Sequence, residues 1–312
     1  MFVITDNPKF CELYLNEPIL WKRGMINDLN DNVRLLTNRM FADKAFFVAE
    51  IQSVLFWRYL FAVEYIEESQ YDLLINISHE YEDLPGEILC LAGSGEKFHG
   101  YRNRPWASKM GNLHLTVYLS PHLEIDHFSV GFIILSAVSI VQTIDMVKGL
   151  KDKAMIKWVN DVVIGDAKVC GVLAHTQVQG GKVTDAVLGI GLNVETEPKI
   201  HPTPFVPKAA SLQSFVEDKS YCNQGIIFNK LIRNLELNYN ALVSGDFAPL
   251  LKLYKERSMI YKHDVKVWSD VFVGAGELLA EGKVLNIGDE LELFIEGKES
   301  PVTTGRIEII DK

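Results

Sequence analysis

The sequence predicts an α+β fold in which a large unit mixes strands with helices and a small all-β unit closes the chain. Three observations carry this expectation. Apolar runs rich in β-branched and aromatic residues, bounded by glycine, proline or aspartate, recur from Phe61 onward. Between them stand segments with apolar residues at helical spacing, such as Ile226, Ile227, Leu231, Leu235 and Leu242. Beyond Ser258 the pattern becomes short alternating strands separated by glycine turns. A chain of 312 residues also exceeds what one ordinary core organises. It divides on these grounds into an N-terminal extension over 1–57, a main domain over 58–257 and a C-terminal domain over 258–312.

Residues 1–57 mix Pro8, Pro18 and a polar cluster at 27–32 with a helix predicted from Val33 onward. They show no helix-turn-helix pattern with a basic recognition helix. A strand over 61–66 leads to a helix carrying Leu73, Leu74 and Ile77, with Ser69 placed to cap it through its side-chain oxygen. A strand over 87–92 ends in a glycine-rich loop over 93–106, and Gly111-Asn112 introduces an alternating strand over 113–119. The uncharged run 129–141 is shorter than the roughly 20 apolar residues that span a bilayer, and it reads as a buried core helix. Two apolar runs, 156–164 and 168–173, flank Gly165-Asp166 in the pattern of a hairpin. A strand over 185–188 ends in Gly189-Ile190-Gly191-Leu192-Asn193-Val194, where glycine lets something approach the backbone closely. The proline-rich stretch 197–207 is a loop, followed by helices over 223–242 and 247–257. Strands over 265–268, 278–284, 291–295 and 305–309 fit a small barrel of the SH3-like kind.

Composition narrows the function. Apolar residues make up 48% and charged residues 23%, as in globular proteins that bury an ample core. A net charge of −10 leaves no basic face for a phosphate backbone, so nucleic acid is not an expected partner. Cys11, Cys90, Cys170 and Cys222 are far apart and lack CxxC spacing, so reduced, buried thiols without structural zinc are expected. The first residues lack the basic start and long apolar run of a signal peptide. Glu50, Arg58 and Glu64 argue against a membrane span over 46–66, and the reduced cysteines lead to the expectation of a cytoplasmic protein.

Two features carry chemistry. Lys157 stands alone among residues that favour burial, as a snorkelling edge lysine or as a cation held for an anionic ligand. The loop 93–106 combines glycines with Arg102 and Arg104, whose forked donors suit phosphate or carboxylate. It lacks the GKS or GKT ending of a P-loop and the Rossmann glycine spacing.

Taken in order, these pieces resemble the biotin–protein ligases. Lys157-Trp158-Val159-Asn160-Asp161 is similar to that family's lysine-tryptophan-proline-asparagine-aspartate hairpin, with valine for proline. Lys168-Val169-Cys170-Gly171-Val172-Leu173 resembles its second strand, and Gly189-Ile190-Gly191-Leu192-Asn193-Val194 its glycine-asparagine strand end. Arg104-Pro105-Trp106, Gly111-Asn112-Leu113 and Ala210-Ser211-Leu212 fit further stations, so the resemblance covers about 61–310. It implies a mixed sheet flanked by helices, the class II synthetase-like core of the biotin and lipoate ligases. Lipoate ligases and octanoyltransferases share that core, but their arginine-glycine-glycine loop is absent here.

The implied activity is that of an ATP-dependent ligase. Biotin carboxylate attacks the α-phosphate of ATP, pyrophosphate leaves, and the acyl group of biotinoyl-5′-AMP passes to a lysine of a biotin carboxyl carrier domain of a biotin-dependent carboxylase. Mg2+ accompanies ATP, and no metal ligand from the protein is implied. Catalytic roles fall on Lys157 and Arg104. Biotin contacts fall on Ser69, Gln70, Gly95, His99, Gly100, Tyr101, Trp106, Lys157 and Gly171. Nucleotide contacts fall on Arg102, Arg104, Asn112, Asn160, Gly191 and Asn193. The loop departs from the family pattern, with Phe98, His99 and Tyr101 in place of its first glycine and two arginines, and Gly95 in place of a glutamine. A degenerate relative that binds biotin, a related acid or a carrier domain without turnover is the alternative, as is a ligase for another acid such as lipoate. Edge strands near the hairpin leave a homodimer open.

Overall fold

The computed structural model describes residues 1–15, 17–52, 55–81, 84–270 and 276–310. Its first strands and helices are β1 (Phe2–Thr5), α1 (Pro8–Glu12), β2 (Lys22–Arg23), α2 (Asp31–Phe41), β3 (Phe47–Glu50), β4 (Tyr59–Glu68), α3 (Gln70–Glu80), β5 (Ile88–Lys97), β6 (Leu113–Leu119) and α4 (Phe128–Asp145). There follow β7 (Ala154–Lys157), β8 (Asp161–Ile164), β9 (Ala167–Gln179), β10 (Lys182–Leu192), β11 (Lys208–Ala209), α5 (Gln224–Val243), α6 (Ala248–Glu256), β12 (Asp264–Trp268), β13 (Leu278–Ile287), β14 (Leu293–Ile295) and β15 (Arg306–Ile309).

The large sheet runs β2-β3-β1-β4-β5-β6-β10-β9-β8-β7, with β11 beside β9. It is mixed, since β1, β4 and β5 are parallel while β5, β6, β10 and β9 alternate. One apolar cluster joins one face to α4 and α5, and a second joins the other face to α2 and α3. The second sheet is small and antiparallel, in the order β14-β13-β12-β15.

Local sequence explains several boundaries. Ser69 caps α3 by accepting from the Tyr71 amide at 3.3 Å, and Asn223 caps α5 by accepting from Ile226 at 2.9 Å. The run 129–141 extends to α4, whose apolar length matches a membrane span although it is mostly buried against β7–β10 and α5. All four cysteines are buried with free thiols.

Three stretches differ from the expectations above. Residues 1–57, read as an extension, are built into the large sheet, because Val3 and Ile4 of β1 pair with Leu60 and Phe61 of β4 and are fully buried. The apolar start of the chain therefore completes the core rather than preceding it. Gly93, Ser94 and Gly95 lie in β5, not in a loop, because Ser94 and Gly95 stay in register with Tyr65 and Ile66 of β4. The run 156–164 is two strands, β7 and β8, which fold back so that Lys157 pairs with Asp161. The expected hairpin at Gly165-Asp166 is present as the β8–β9 turn.

Candidate active site

A cavity of about 330 Å³ opens on the α3 face of the sheet, between the β7–β8 turn, the loop after β5 and the C-terminal sheet. Its floor is made by glycine. Gly171 and Gly191 pair across β9 and β10, and the Trp106 indole lies against both. A Cβ on Gly191 would stand 2.5 Å from that indole, and one on Gly189 would stand 2.9 Å from the Tyr71 ring. These positions have no side chain because aromatic rings occupy the space above them.

Lys157 ends β7 and faces the cavity, so it does not snorkel to bulk water. The turn that carries it is pinned from three sides. Trp158 Nε1 donates to the Leu291 carbonyl (2.7 Å), Tyr254 Oη to the Val159 carbonyl (2.8 Å) and Asn160 Nδ2 to the Val172 carbonyl (2.7 Å). Burial lowers the Lys157 pKa to about 8, with Lys168 and Arg306 adding to the fall and Asp161 and Glu308 opposing it. Its Nζ donates to the carbonyl of Phe205 in the proline-rich loop. Beside it, Lys168 pairs with Asp161 at 2.7 Å and lies 5.5 Å from the centre of the Trp106 ring.

The loop after β5 closes on itself through Gly100 N to Arg104 O (2.7 Å) and Trp106 N to Phe98 O (2.9 Å). Within it, Arg104 Nε donates to the Tyr101 carbonyl at 2.9 Å, and its other end stands 3.5 Å from Asp270 in the C-terminal domain. His99 Nε2 meets Asp72 at 2.7 Å. Burial works against the charged imidazole, but the Gly100 carbonyl and Asp72 outweigh it and raise the His99 pKa.

At the inner end of the cavity three buried polar atoms have no partner: Gln70 Oε1, His114 Nδ1 and Trp106 Nε1. The three residues are neighbours around Gly191, since His114 pairs with it in register and the indole covers it, while Gln70 Nε2 donates to the His114 carbonyl at 2.6 Å. His114 Nε2 lies 3.2 Å from the Lys109 carbonyl, which only accepts, so Nε2 carries the hydrogen and Nδ1 is a free acceptor. Burial pushes the His114 pKa down to about 4, although the Lys109 carbonyl opposes this, and the ring is neutral. Two acceptors and one donor are thus unpaired and closed off from solvent behind the cavity.

Most of the residues named from the sequence come together here. Ser69, Gln70, His99, Gly100, Tyr101, Trp106 and Gly171 line the cavity, as do Lys157, Arg104, Asn160, Gly191 and Asn193. Three named residues do not line it. Gly95 is covered by the Phe98 ring, which a Cβ there would meet at 2.2 Å. Asn112 is fully buried and accepts from the Val194 and Thr196 amides at 2.9 and 3.1 Å, shaping the strand end that bears Asn193. Arg102 is half exposed and lies 3.5 Å from Asp270, outside the cavity. The sequence reading also missed His114, Lys168, Phe205, Asp270 and Arg306, all of which line it. Lys168 and Arg306 carried the same sign as Lys157, a cation set among apolar strand residues.

Residues 65–193 match the biotin/lipoate A/B protein ligase family. The chain is 25% identical over 224 residues to the bifunctional ligase/repressor BirA of Bacillus subtilis, covering 69% of this chain and 63% of that protein. It therefore spans just under two thirds of that relative's length. It is 26% identical over 264 residues to biotin–protein ligase 2 of Arabidopsis thaliana, covering 80% of this chain and 75% of that one. Among solved structures, the Aquifex aeolicus biotin protein ligase in complex with biotin and ATP superposes with a TM-score of 0.60 at 18% identity, covering 82% of this chain and all of that one.

Proposed function

We propose that this chain, whose residues 65–193 match the biotin/lipoate A/B protein ligase family, is an ATP-dependent biotin–protein ligase, which activates biotin as its adenylate and transfers it to a carrier-domain lysine. One observation carries the reading: the cavity is cationic around Lys157 and complementary to a cyclic urea at its inner end. A ureido ring has two N–H donors and one carbonyl. On this reading Gln70 Oε1 and His114 Nδ1, unpaired in the free protein, would accept from the former and Trp106 Nε1 would donate to the latter once the ligand opens access to them. A dithiolane or an alkyl chain would leave all three atoms unpaired, which costs about 1–3 kcal/mol for each buried group. Biotin is therefore favoured over lipoate or octanoate.

The reaction follows from the charges. The acid's carboxylate and the triphosphate repel one another, and Lys157, which lines the cavity, is the cation assigned to the point where they meet. As the carboxylate oxygen bonds to the α-phosphorus and the bond to pyrophosphate breaks, Lys157 offsets the growing negative charge, with Lys168 and Arg104 around it. In the second step the carrier amine attacks the acyl carbon, AMP leaves, and the amine's proton passes to solvent or phosphate. Among the described residues no group of three or more His, Cys, Asp or Glu is placed to hold a metal. Asp161 and Asp270 already face cations. Magnesium is accordingly proposed to arrive on the nucleotide, with no step assigned to a protein-held ion.

The test is incubation of the purified chain with labelled biotin, ATP, Mg2+ and a biotin carboxyl carrier domain. Labelled carrier and biotinoyl-5′-AMP by mass spectrometry are expected, and the absence of both overturns the reading. One observation favours a binding protein without turnover, namely that the Phe205 carbonyl already satisfies Lys157. Calorimetric biotin binding together with no adenylate would establish that alternative.

A further inference from the structure

We propose that Arg306, contributed by the C-terminal sheet, is a phosphate ligand of this cavity that holds the pyrophosphate end of the nucleotide. This deepens the ligase reading, but its test depends only on binding.

The charges around the cavity single out this residue. Its cations are Arg104, Lys157, Lys168 and Arg306, and its carboxylates are Asp161 and Asp270. Asp161 is matched with Lys168 at 2.7 Å, and Asp270 with Arg104 at 3.5 Å. Among the described residues Lys157 and Arg306 make no ion pair, although Asp161 lies near both and Asp270 near Arg306, and the cavity holds a surplus of two positive charges in a chain of net charge −10. The Arg306 guanidinium carbon rests 3.7 Å from the centre of the Phe205 ring, and its buried Nε has no hydrogen-bond partner. A guanidinium does not lose its proton in a protein, so Arg306 cannot relieve this burial as a lysine does. An aromatic face attracts a cation but offers no acceptor to its N–H groups. The Asp270 and Asp161 carboxylates act on it only from beyond ion-pair distance, so the partner it lacks at close range is an anion.

Its chemistry follows from the donor shape. Lys157 is a point charge suited to the site where carboxylate and α-phosphate meet, whereas a forked guanidinium matches two oxygens of a phosphate at once. Phe205 ties the two cations together in the free protein, since its carbonyl accepts from Lys157 and its ring supports Arg306. A polyphosphate that takes both cations must displace Phe205, so the loop competes with the ligand.

The test is isothermal titration of the full chain with inorganic pyrophosphate, and separately with biotin, at near-physiological ionic strength. Arg306→Gln is expected to weaken pyrophosphate binding by about tenfold or more, as loss of a charge-assisted bidentate contact does, and to leave biotin affinity unchanged. Arg306→Lys recovers part of the loss. Phe205→Ala removes the ring that rests on Arg306 but keeps the carbonyl that Lys157 donates to; it is expected to tighten pyrophosphate binding at Arg306, and it carries the test if Arg306→Gln does not fold. No pyrophosphate binding by the unaltered chain, equal affinity in Arg306→Gln, or unchanged or weaker affinity in Phe205→Ala each overturns the proposal. Pyrophosphate binding that depends on Arg306 in a chain that never binds biotin would instead sink the biotin reading and leave this one standing.

Discussion

The turn that presents Lys157 and the loop that presents Arg104 border the same cavity, yet they are held by opposite kinds of contact. The turn is fixed by Leu291, Tyr254 and Val172, with Tyr254 fully buried and Trp158 nearly so. The loop is closed by its own backbone bonds and anchored by Phe98, but its tip is less firmly tied to the rest of the protein: Tyr101 is 49% exposed, and both arginines reach Asp270 only at 3.5 Å. A charge that must meet a developing charge at one point gains from rigid placement, because its surroundings need not reorganise during the reaction. A loop that gathers around a ligand gains from weak resting contacts. The largest effect should therefore come from the turn, and the smallest from the loop.

Lys157→Ala removes the fixed charge while leaving the pinning bonds intact. Adenylate formation is expected to fall by about 10²–10³-fold or more, as for loss of one preorganised donor, with the thermal midpoint not lowered, since the cost of burying the cation goes with it. Near-normal turnover would show that this lysine is only a structural neighbour of the cavity.

The pH dependence separates the roles of Lys157 in activity and stability. With a pKa of about 8 against an ordinary 10.5, the cation is present below about 8 and is lost above it. The kcat/KM for the acid should thus fall as pH rises through 8, by up to about tenfold per unit, since this parameter reports the free enzyme. Stability moves the other way. Between 8 and 10.5 the unfolded chain binds the extra proton, so unfolding becomes harder with rising pH in that window, while below 8 both states are protonated and the burial cost is felt in full. Lys157→Arg should abolish the alkaline fall in whatever activity it retains. A profile flat to pH 10 would rule out the depressed value.

Tyr254→Phe loosens the turn without touching the cavity. The Val159 carbonyl loses its donor, which costs about 1–3 kcal/mol of stability for a buried group. Urea denaturation gives the stability, and turnover should fall in the same variant because Lys157 is less well placed. Full activity together with full stability would mean that the other two bonds suffice to hold the turn.

This contrast also explains what the sequence made legible. Lys157 stood out as a lone charge in an apolar run, and the glycines at 171, 189 and 191 marked a backbone open to close approach. The fold-back after Lys157 was hidden because its partners lie at 172, 254 and 291, far along the chain. Gly95 and Asn112 looked like ligand contacts, but the space beside Gly95 went to Phe98, and the hydrogen-bonding capacity of Asn112 went to the backbone at Val194 and Thr196. The N-terminal strand was hidden for a similar reason, since a four-residue run acquires meaning only when β4 is beside it. Asp270 and Arg306 enter the cavity from another sheet, a juxtaposition that no local pattern encodes.

The smallest effect tests the loop. Asp270→Asn removes the carboxylate that faces Arg102 and Arg104; the Asp270 side chain is buried, but both arginines are exposed and stand 3.5 Å away, so the pairs contribute about 1 kcal/mol or less. The thermal midpoint should be unchanged. The same substitution removes a negative charge from the cavity wall, so ATP binding is expected to tighten, by less than about fivefold, and the gain should shrink with added salt as ions screen the site. If Asp270→Asn instead lowered the thermal midpoint and weakened ATP binding, Asp270 would be fixing the loop as firmly as Tyr254 fixes the turn. The two walls would then be equally rigid, and the division of labour between them would fall.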